Sequence, residues 1–198
     1  KETYLLQLSL RRDGSLRFSN ESGRWGTFPS VLVGWRISNE NFWKNNIQFI
    51  DYLKLKASFG QMGNDAVDAF QYLTSYAFAT GNVFNGVYSS GLAQSGNPNP
   101  NITWEVANIF NVGFESTILK AITFNSDFFY QRRSKILVKR DASVPNFTGI
   151  GLPDENYGIV DSKGFEMELG YNDNKNNISY GINTNINYSH NTIIEFDE

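Results

Sequence analysis

From Ile178 to Ser189 every second residue is large, Ile178, Tyr180, Ile182, Thr184, Ile186 and Tyr188, and the residues between, Ser179, Gly181, Asn183, Asn185, Asn187 and Ser189, are small and polar. Successive side chains of an extended strand point to opposite faces, so this period of two builds a strand that divides an apolar medium from a wet one. The same two-sidedness recurs six times. Leu6, Leu8 and Leu10 alternate with Gln7, Ser9 and Arg11; Val31, Val33, Trp35 and Ile37 alternate with Ser30, Gly34, Arg36 and Ser38, Leu32 being the exception. Leu53, Leu55, Ala57 and Phe59 alternate with Lys54, Lys56, Ser58 and Gly60, and Phe110, Val112 and Phe114 with Asn111, Gly113 and Glu115. Ile122, Phe124, Phe128 and Tyr130 oppose Thr123, Asn125, Asp127 and Gln131, and Phe165, Met167, Leu169 and Tyr171 oppose Glu166, Glu168 and Gly170. The chain therefore reads as all-β, with about seven antiparallel strands.

The links between these strands alternate in length. Ser116 to Ala121 and Asn172 to Asn177 are compact and Asn39 to Asp51 is intermediate, whereas Asp13 to Arg24, Gln61 to Asn101 and Ser134 to Asp161 are long. In a meander this places short turns at one end of the sheet and long loops at the other. Long loops are uncommon in compact domains and carry function when they occur.

Two architectures accommodate such a meander, a soluble sheet covering a core and a membrane barrel facing lipid. Several strands here run to ten or more residues, the length that crosses a bilayer and longer than a sandwich strand. Tyr4, Tyr52, Tyr130, Tyr171 and Tyr188 stand near strand ends, where rings with an apolar body and a polar tip mark the membrane interface. The opposite face carries Arg11, Arg36, Lys54, Lys56, Glu115, Asp127, Glu166 and Glu168. Seven strands do not close a bacterial barrel, and mixed charges with many small residues suit the wall of a large barrel that holds a folded plug.

Composition removes other classes. Seventeen basic against 20 acidic residues give a net charge of −3, which supplies no footprint for nucleic acid. No cysteine is present and His190 is the single histidine, so thiolate chemistry, Cys-based metal sites and histidine clusters are excluded. No transmembrane helix is encoded, since the longest apolar run is Tyr76 to Ala79. The start, Lys1-Glu2-Thr3, reads as the beginning of an excised piece of a longer chain.

Six ordered runs carry a family resemblance. They are Arg11-Arg12-Asp13-Gly14-Ser15 with Arg17-Phe18; Arg24-Trp25-Gly26-Thr27-Phe28-Pro29-Ser30; Gly34-Trp35-Arg36-Ile37-Ser38-Asn39-Glu40; Leu53 to Gln61 with Gly63-Asn64; Asn101-Ile102-Thr103-Trp104-Glu105 with Asn111-Val112-Gly113; and Asn156-Tyr157-Gly158 with Lys163-Gly164-Phe165-Glu166. The chain resembles the SusC/RagA family of TonB-linked outer-membrane transporters of Bacteroidetes. The resemblance implies a 22-stranded barrel, an N-terminal plug that engages TonB, and a SusD-like surface lipoprotein as lid. Residues 1–198 would then be a partial barrel segment, with the plug, the TonB-contacting segment and the final strand outside it. It also implies an oligosaccharide or peptide substrate, the lipid bilayer as surroundings, and no cofactor.

Several motif residues carry structural expectations. Pro29 lacks a ladder donor and belongs at a strand start or bulge; Gly34 leaves inner-face space for a plug or a bulky neighbour; Gly60, Gly63 and Asn64 suit a bend leaving the strand.

The segment Ala69 to Trp104 contains no charged residue yet is rich in rings. Aromatic faces beside amides and hydroxyls suit neutral sugars, and Tyr72, Tyr76, Phe84 and Tyr88 are the candidate ligand- or lid-contacting residues. The competing reading packs these rings onto the loop itself, the plug or the lid. Asp65, Asp68, Asp154 and Glu155 lack a calcium-loop pattern and read as loop charges. Glu166 and Glu168 have no acid–base partner, and their expected role is hydrogen bonding to inner-face basic residues or water. No metal or catalytic residues are assigned, and no enzyme is expected. Two alternatives stay open: a siderophore-type TonB receptor or porin, and a soluble β-sandwich adhesin or glycan-binding module.

Overall fold

The computed structural model describes residues 2–19, 21, 23–140, 152–175 and 178–197. Nine strands are formed: β1 (Tyr4–Gly14), β2 (Trp25–Arg36), β3 (Ile50–Asn64), β4 (Tyr76–Phe84), β5 (Val87–Gln94), β6 (Glu105–Ile118), β7 (Ile122–Val138), β8 (Glu155–Lys175) and β9 (Ile178–Glu195). Seven make one sheet in the order β1-β2-β3-β6-β7-β8-β9, and β4 with β5 forms a separate hairpin. Every pairing is antiparallel and joins consecutive strands of the meander. These seven are the strands expected from the alternation. The sheet is open, with β1 and β9 at its edges.

The strands run farther than the alternation marks. β7 continues to Val138 and β8 starts at Glu155, so much of the expected Ser134 to Asp161 loop is ladder; residues 141–151 of it lie outside the described set. Within Gln61 to Asn101, β3 extends to Asn64 and the β4–β5 hairpin supplies regular structure where only a loop was expected.

The outer face is apolar across the whole sheet. One row of directly opposed residues reads Leu8, Val31, Phe59, Phe110, Tyr130, Lys163 and His190. On β1, Leu8 stands inside an apolar set running from Tyr4 to Leu10; on β8 the same row holds Lys163, already past the set that runs from Phe165 to Tyr171. A row perpendicular to the strands crosses the boundary of the apolar band only if the strands are tilted against that band, as in a barrel wall. Between Lys163 and Asp173 lie ten residue steps, which at about 3.3 Å each and a tilt near 45° span roughly 23 Å, the height of a bilayer's apolar band. Leu6, Leu10, Leu169, Ile182 and Ile186 are all more than half exposed, so the described residues form no core over this face.

Aromatic tips close the band at the short-turn end. Tyr4 and Trp35 stack at 6.4 Å, and their Oη and Nε1 both donate to Glu40 Oε1, at 2.7 and 3.1 Å. Tyr171 and Tyr180 pair at 6.1 Å, with Tyr180 Oη donating to Asp173 at 3.0 Å. Tyr52 departs from the girdle expectation: it shares the Lys54 face, and the Arg36 guanidinium lies over its ring at 5.4 Å.

Three glycine and proline expectations are corrected. Gly60 and Gly63 do not bend the chain; both lie inside β3, and neither is among the glycines with positive φ. Gly63 is needed for space, because a Cβ there would collide with the Phe28 ring. Pro29 sits within β2, not at its start, and the β2–β3 ladder begins only at Ser30 opposite Gly60. The missing N–H therefore falls where that ladder ends. Gly34 behaves as expected, its space taken by Leu5 and the Lys54 stem.

The tight turn between β6 and β7 uses two non-glycine residues in the left-handed region, Leu119 (φ 51°) and Lys120 (φ 57°), with the Lys120 N–H donating to Asp51 at 2.7 Å. An L-residue in that region costs about 1 kcal/mol relative to glycine. Lys120→Gly is expected to raise the urea midpoint of the full-length protein in lipid vesicles, by about 0.5–1 kcal/mol of stability; a lowered midpoint would contradict the turn geometry.

Candidate ligand and lid surface at the long-loop end

At the long-loop end the chain makes its most buried cluster, Phe18, Phe28, Ile102 and Trp104, joined by Val67, Tyr72, Val106 and Leu137. Trp104 lies 5.3 Å from Phe18 and 5.5 Å from Phe28 between ring centroids, and its Nε1 donates to Arg24 O at 3.3 Å. The cluster gathers residues from the β1–β2 loop, the β3–β6 connection and strands β2, β6 and β7. Polar bonds tie the same segments: Ser15 Oγ donates to Asp65 Oδ2 at 2.7 Å, and Arg17 Nη1 donates to the carbonyls of Asp65 and Val67 at 3.1 and 2.6 Å.

Asn156 acts as a clamp. Its Oδ1 accepts from the Thr103 N–H at 2.9 Å, and its Nδ2 donates to Thr103 O at 2.9 Å and Lys135 O at 2.8 Å. One side-chain amide thus replaces a ladder pair for a residue that lies outside a strand. Asn99 Nδ2 similarly donates to Asp154 O at 2.7 Å, while its Oδ1 accepts from the Asn101 N–H at 2.9 Å. Asn156→Ala is expected to cost about 1–3 kcal/mol locally, read as faster hydrogen–deuterium exchange in the peptide containing Thr103; unchanged exchange would refute the clamp.

On this base stands the β4–β5 hairpin. It turns on Asn85 (φ 51°) and Gly86 (φ 80°), the Asn-Gly pair that favours a two-residue hairpin because both positions need positive φ. That dipeptide, between two alternating segments, is the signal that reveals the hairpin in the sequence. A register shift between Ala79 and Asn82 reverses the alternation part-way along. Gly81 permits it, since a Cβ there would strike the Ser89 carbonyl. As a result Tyr76, Phe78, Val83, Tyr88 and Leu92 share one face, and Phe84 pairs with Val87 on the other. All seven side chains are more than 60% exposed.

The four candidate residues therefore separate. Tyr76 and Tyr88 belong to one exposed aromatic face, and Tyr88 Oη accepts from the Gly81 N–H at 3.0 Å. Phe84 is exposed on the reverse face. Tyr72 packs against the buried cluster, with Phe70 6.3 Å away, which is the competing reading of the loop rings. At the foot of the hairpin a groove of about 550 Å³ is lined by residues that include Phe70, Ser95, Asn97, Asn99, Leu152 and Asp154, a mixture of apolar surface, hydroxyl, amides and one acidic residue in the size range of ligand sites.

Two of the four loop carboxylates, Asp65 and Glu155, have structural partners. Asp65 accepts from Ser15, and Glu155 Oε2 meets Arg140 Nη1 at 3.0 Å. Among the described residues no group of three or more acidic or histidine side chains could hold a metal ion.

The inner face carries a charge ladder across β3, β6 and β7. Lys56 Nζ lies 3.3 Å from Glu115 and 3.0 Å from Asp127, and Lys54 Nζ lies 3.3 Å from Glu115. Lysines and carboxylates alternate, so their charges neutralise one another within the wall. Glu166 stands directly opposite Asp127, and Glu168 accepts from Asn125 Nδ2 at 3.3 Å.

A tilted, two-faced antiparallel meander with tight turns at one end and long loops at the other is a wall segment of a transmembrane β-barrel. The chain belongs to the family described as TonB dependent receptor-like, beta-barrel, whose model matches residues 1–198. It is 34% identical over 171 residues to TonB-dependent receptor P26 of Formosa agariphila, which covers 85% of this chain and 17% of that protein. It is 29% identical over 198 residues to TonB-dependent receptor SusC of Bacteroides thetaiotaomicron, covering 96% of this chain and 19% of the relative. The chain thus spans less than a fifth of these relatives' length. In fold it matches the RagAB peptide importer in its closed-closed state, with a TM-score of 0.83, 22% identity, and coverage of 98% of this chain and 21% of that one.

Proposed function

We propose that this chain is part of the wall and outer rim of a TonB-dependent transporter in the outer membrane, importing nutrients into the periplasm with a SusD-like surface lipoprotein as lid. The match to the barrel family over the whole chain carries this reading, and the two-faced tilted sheet agrees with it. The plug, the TonB-contacting segment and the final strand belong to other parts of the protein, and energy input acts on the plug. The chain's own work is scaffolding and recognition, without catalysis or cofactor. It walls the pathway with a self-neutralised inner face and displays the long-loop hairpin to ligand or lid.

Neutral oligosaccharides are the proposed substrate class. Residues 69–104 offer exposed rings, hydroxyls and amides without a single charge, whereas a site for free peptides would place charges opposite their termini. The test uses the full-length transporter in cells that also make its lipoprotein. The combined Tyr76→Ala, Phe78→Ala and Tyr88→Ala variant is expected to lower neutral-oligosaccharide uptake or lipoprotein affinity by about tenfold, the scale of losing an aromatic contact surface. Uptake and affinity both unchanged would remove the hairpin from the reading, and uptake that persists without TonB would overturn the transporter class.

A further inference from the structure

The lipid-facing row at the long-loop edge of the apolar band sets Tyr130, Lys163 and His190 side by side on β7, β8 and β9. Directly below them stand Phe128, Phe165 and Tyr188, with Phe165 and Tyr188 stacked at 5.9 Å. One row above, Arg132 Nε and Nη2 donate to the two oxygens of Asp161, both at 2.8 Å, and Tyr130 Oη donates to the same carboxylate at 2.8 Å. Asp161 is thereby engaged by Arg132 and Tyr130, and that ion pair is neutral as a unit. Lys163 and His190 make no hydrogen bond or ion pair among the described residues, and both are exposed. The inner face pairs its lysines with carboxylates; Lys163, on the lipid side, is attracted by the Asp161 carboxylate, which Arg132 and Tyr130 already hold.

A lysine stem at the rim of an apolar face lies along the hydrocarbon and lifts its ammonium into the headgroup layer. The anionic group at that depth of a bilayer is phosphate. We propose that Lys163 and His190, with the remaining Nη1 of Arg132, bind the phosphate of a lipid in the leaflet on the long-loop side. Lys163 supplies the charge and His190 one N–H donor, while Tyr130 and Tyr188 flank the headgroup and the start of the acyl chains. Directly opposed side chains sit about 5 Å apart at Cβ, close enough for one phosphate to take donors from both Lys163 and His190. This inference rests on the sheet being a bilayer wall, which the substitution at Leu169 described below tests separately.

The experiment uses the purified full-length transporter in neutral detergent, incubated with a phosphorylated diglucosamine acyl lipid or with the same lipid after removal of its phosphates. Native mass spectrometry counts the retained copies. The wild type is expected to retain the phosphorylated lipid in preference, and Lys163→Gln with His190→Gln is expected to lower that retention about fivefold or more, the scale of one lysine at an anionic surface. Equal retention of the two lipids by the wild type would overturn the proposal, whatever the variant does. Unchanged retention in a variant with normal heat-dependent gel migration would also overturn it. Inorganic phosphate that abolishes retention at millimolar concentration would assign the site to free phosphate and not to lipid.

Discussion

Replacing Trp104 by alanine is expected to release the long-loop end of this wall while leaving the barrel itself folded. The indole touches Phe18 and Phe28, donates to the Arg24 carbonyl and is only 8% exposed, so one residue holds together segments far apart in the chain. Truncating a buried tryptophan costs about 3–5 kcal/mol, because the transfer free energy is lost and a cavity remains. That loss falls on the loops, since Trp104 lies outside the strands and the backbone ladders of Phe28, Val106 and Leu137 do not depend on its side chain. In the full-length protein in vesicles, limited proteolysis should cut within residues 65–104 much faster than in the wild type, while heat-dependent gel migration stays normal. Trp104→Phe should restore most of the protection, lacking only the bond to Arg24. Equal cleavage of Trp104→Ala and wild type would show that the hairpin is held by other contacts.

The second large effect separates the two faces of a single strand. Leu169 lies on the apolar face of β8 and is more than half exposed, whereas the adjoining Glu168 turns to the charged inner face and accepts from Asn125. An arginine on the lipid face near the middle of a bilayer costs about 2–4 kcal/mol, and the same residue on the inner face costs far less. Leu169→Arg in the full-length protein should therefore lower the urea midpoint in phospholipid vesicles by that amount, and Glu168→Arg should leave it nearly unchanged. Similar destabilisation by both would mean that the outer face meets protein and not lipid. No helix among the described residues is long and apolar enough to cross a membrane.

Much of the wall can be read from consecutive residues. The alternation in Phe165 to Tyr171 and Ile178 to Ser189 places each side chain on a face because the pleat is a local property of the backbone. The strand ends are less legible. Beyond Ser134 the apolar residues Ile136, Leu137 and Val138 no longer alternate with polar ones, and pairing across the register shift with β8 keeps the strand going. The hairpin was signalled by Asn85-Gly86, but simple alternation puts Phe84 on the face of Tyr76, and the bulge at Gly81 puts it on the reverse. Tyr72 looks like its exposed neighbours in sequence; only packing against the buried cluster around Trp104 shows it to be part of the base. His190, uninformative for metal or catalysis, gains meaning from its position opposite Lys163.

The amino-acid sequence by itself determines that this protein is a meander of two-faced strands with short turns at one end, long loops at the other, and motifs of an outer-membrane transporter family. The tertiary structure decides which residues meet: Lys54 with Glu115, 61 residues apart, and Trp104 with Arg24, 80 apart. The reason is physical. A side chain's face follows from the two-residue period of its own strand, whereas its neighbours follow from register, bulges and loop packing, which are settled only when the hydrogen-bond ladders of separate strands align.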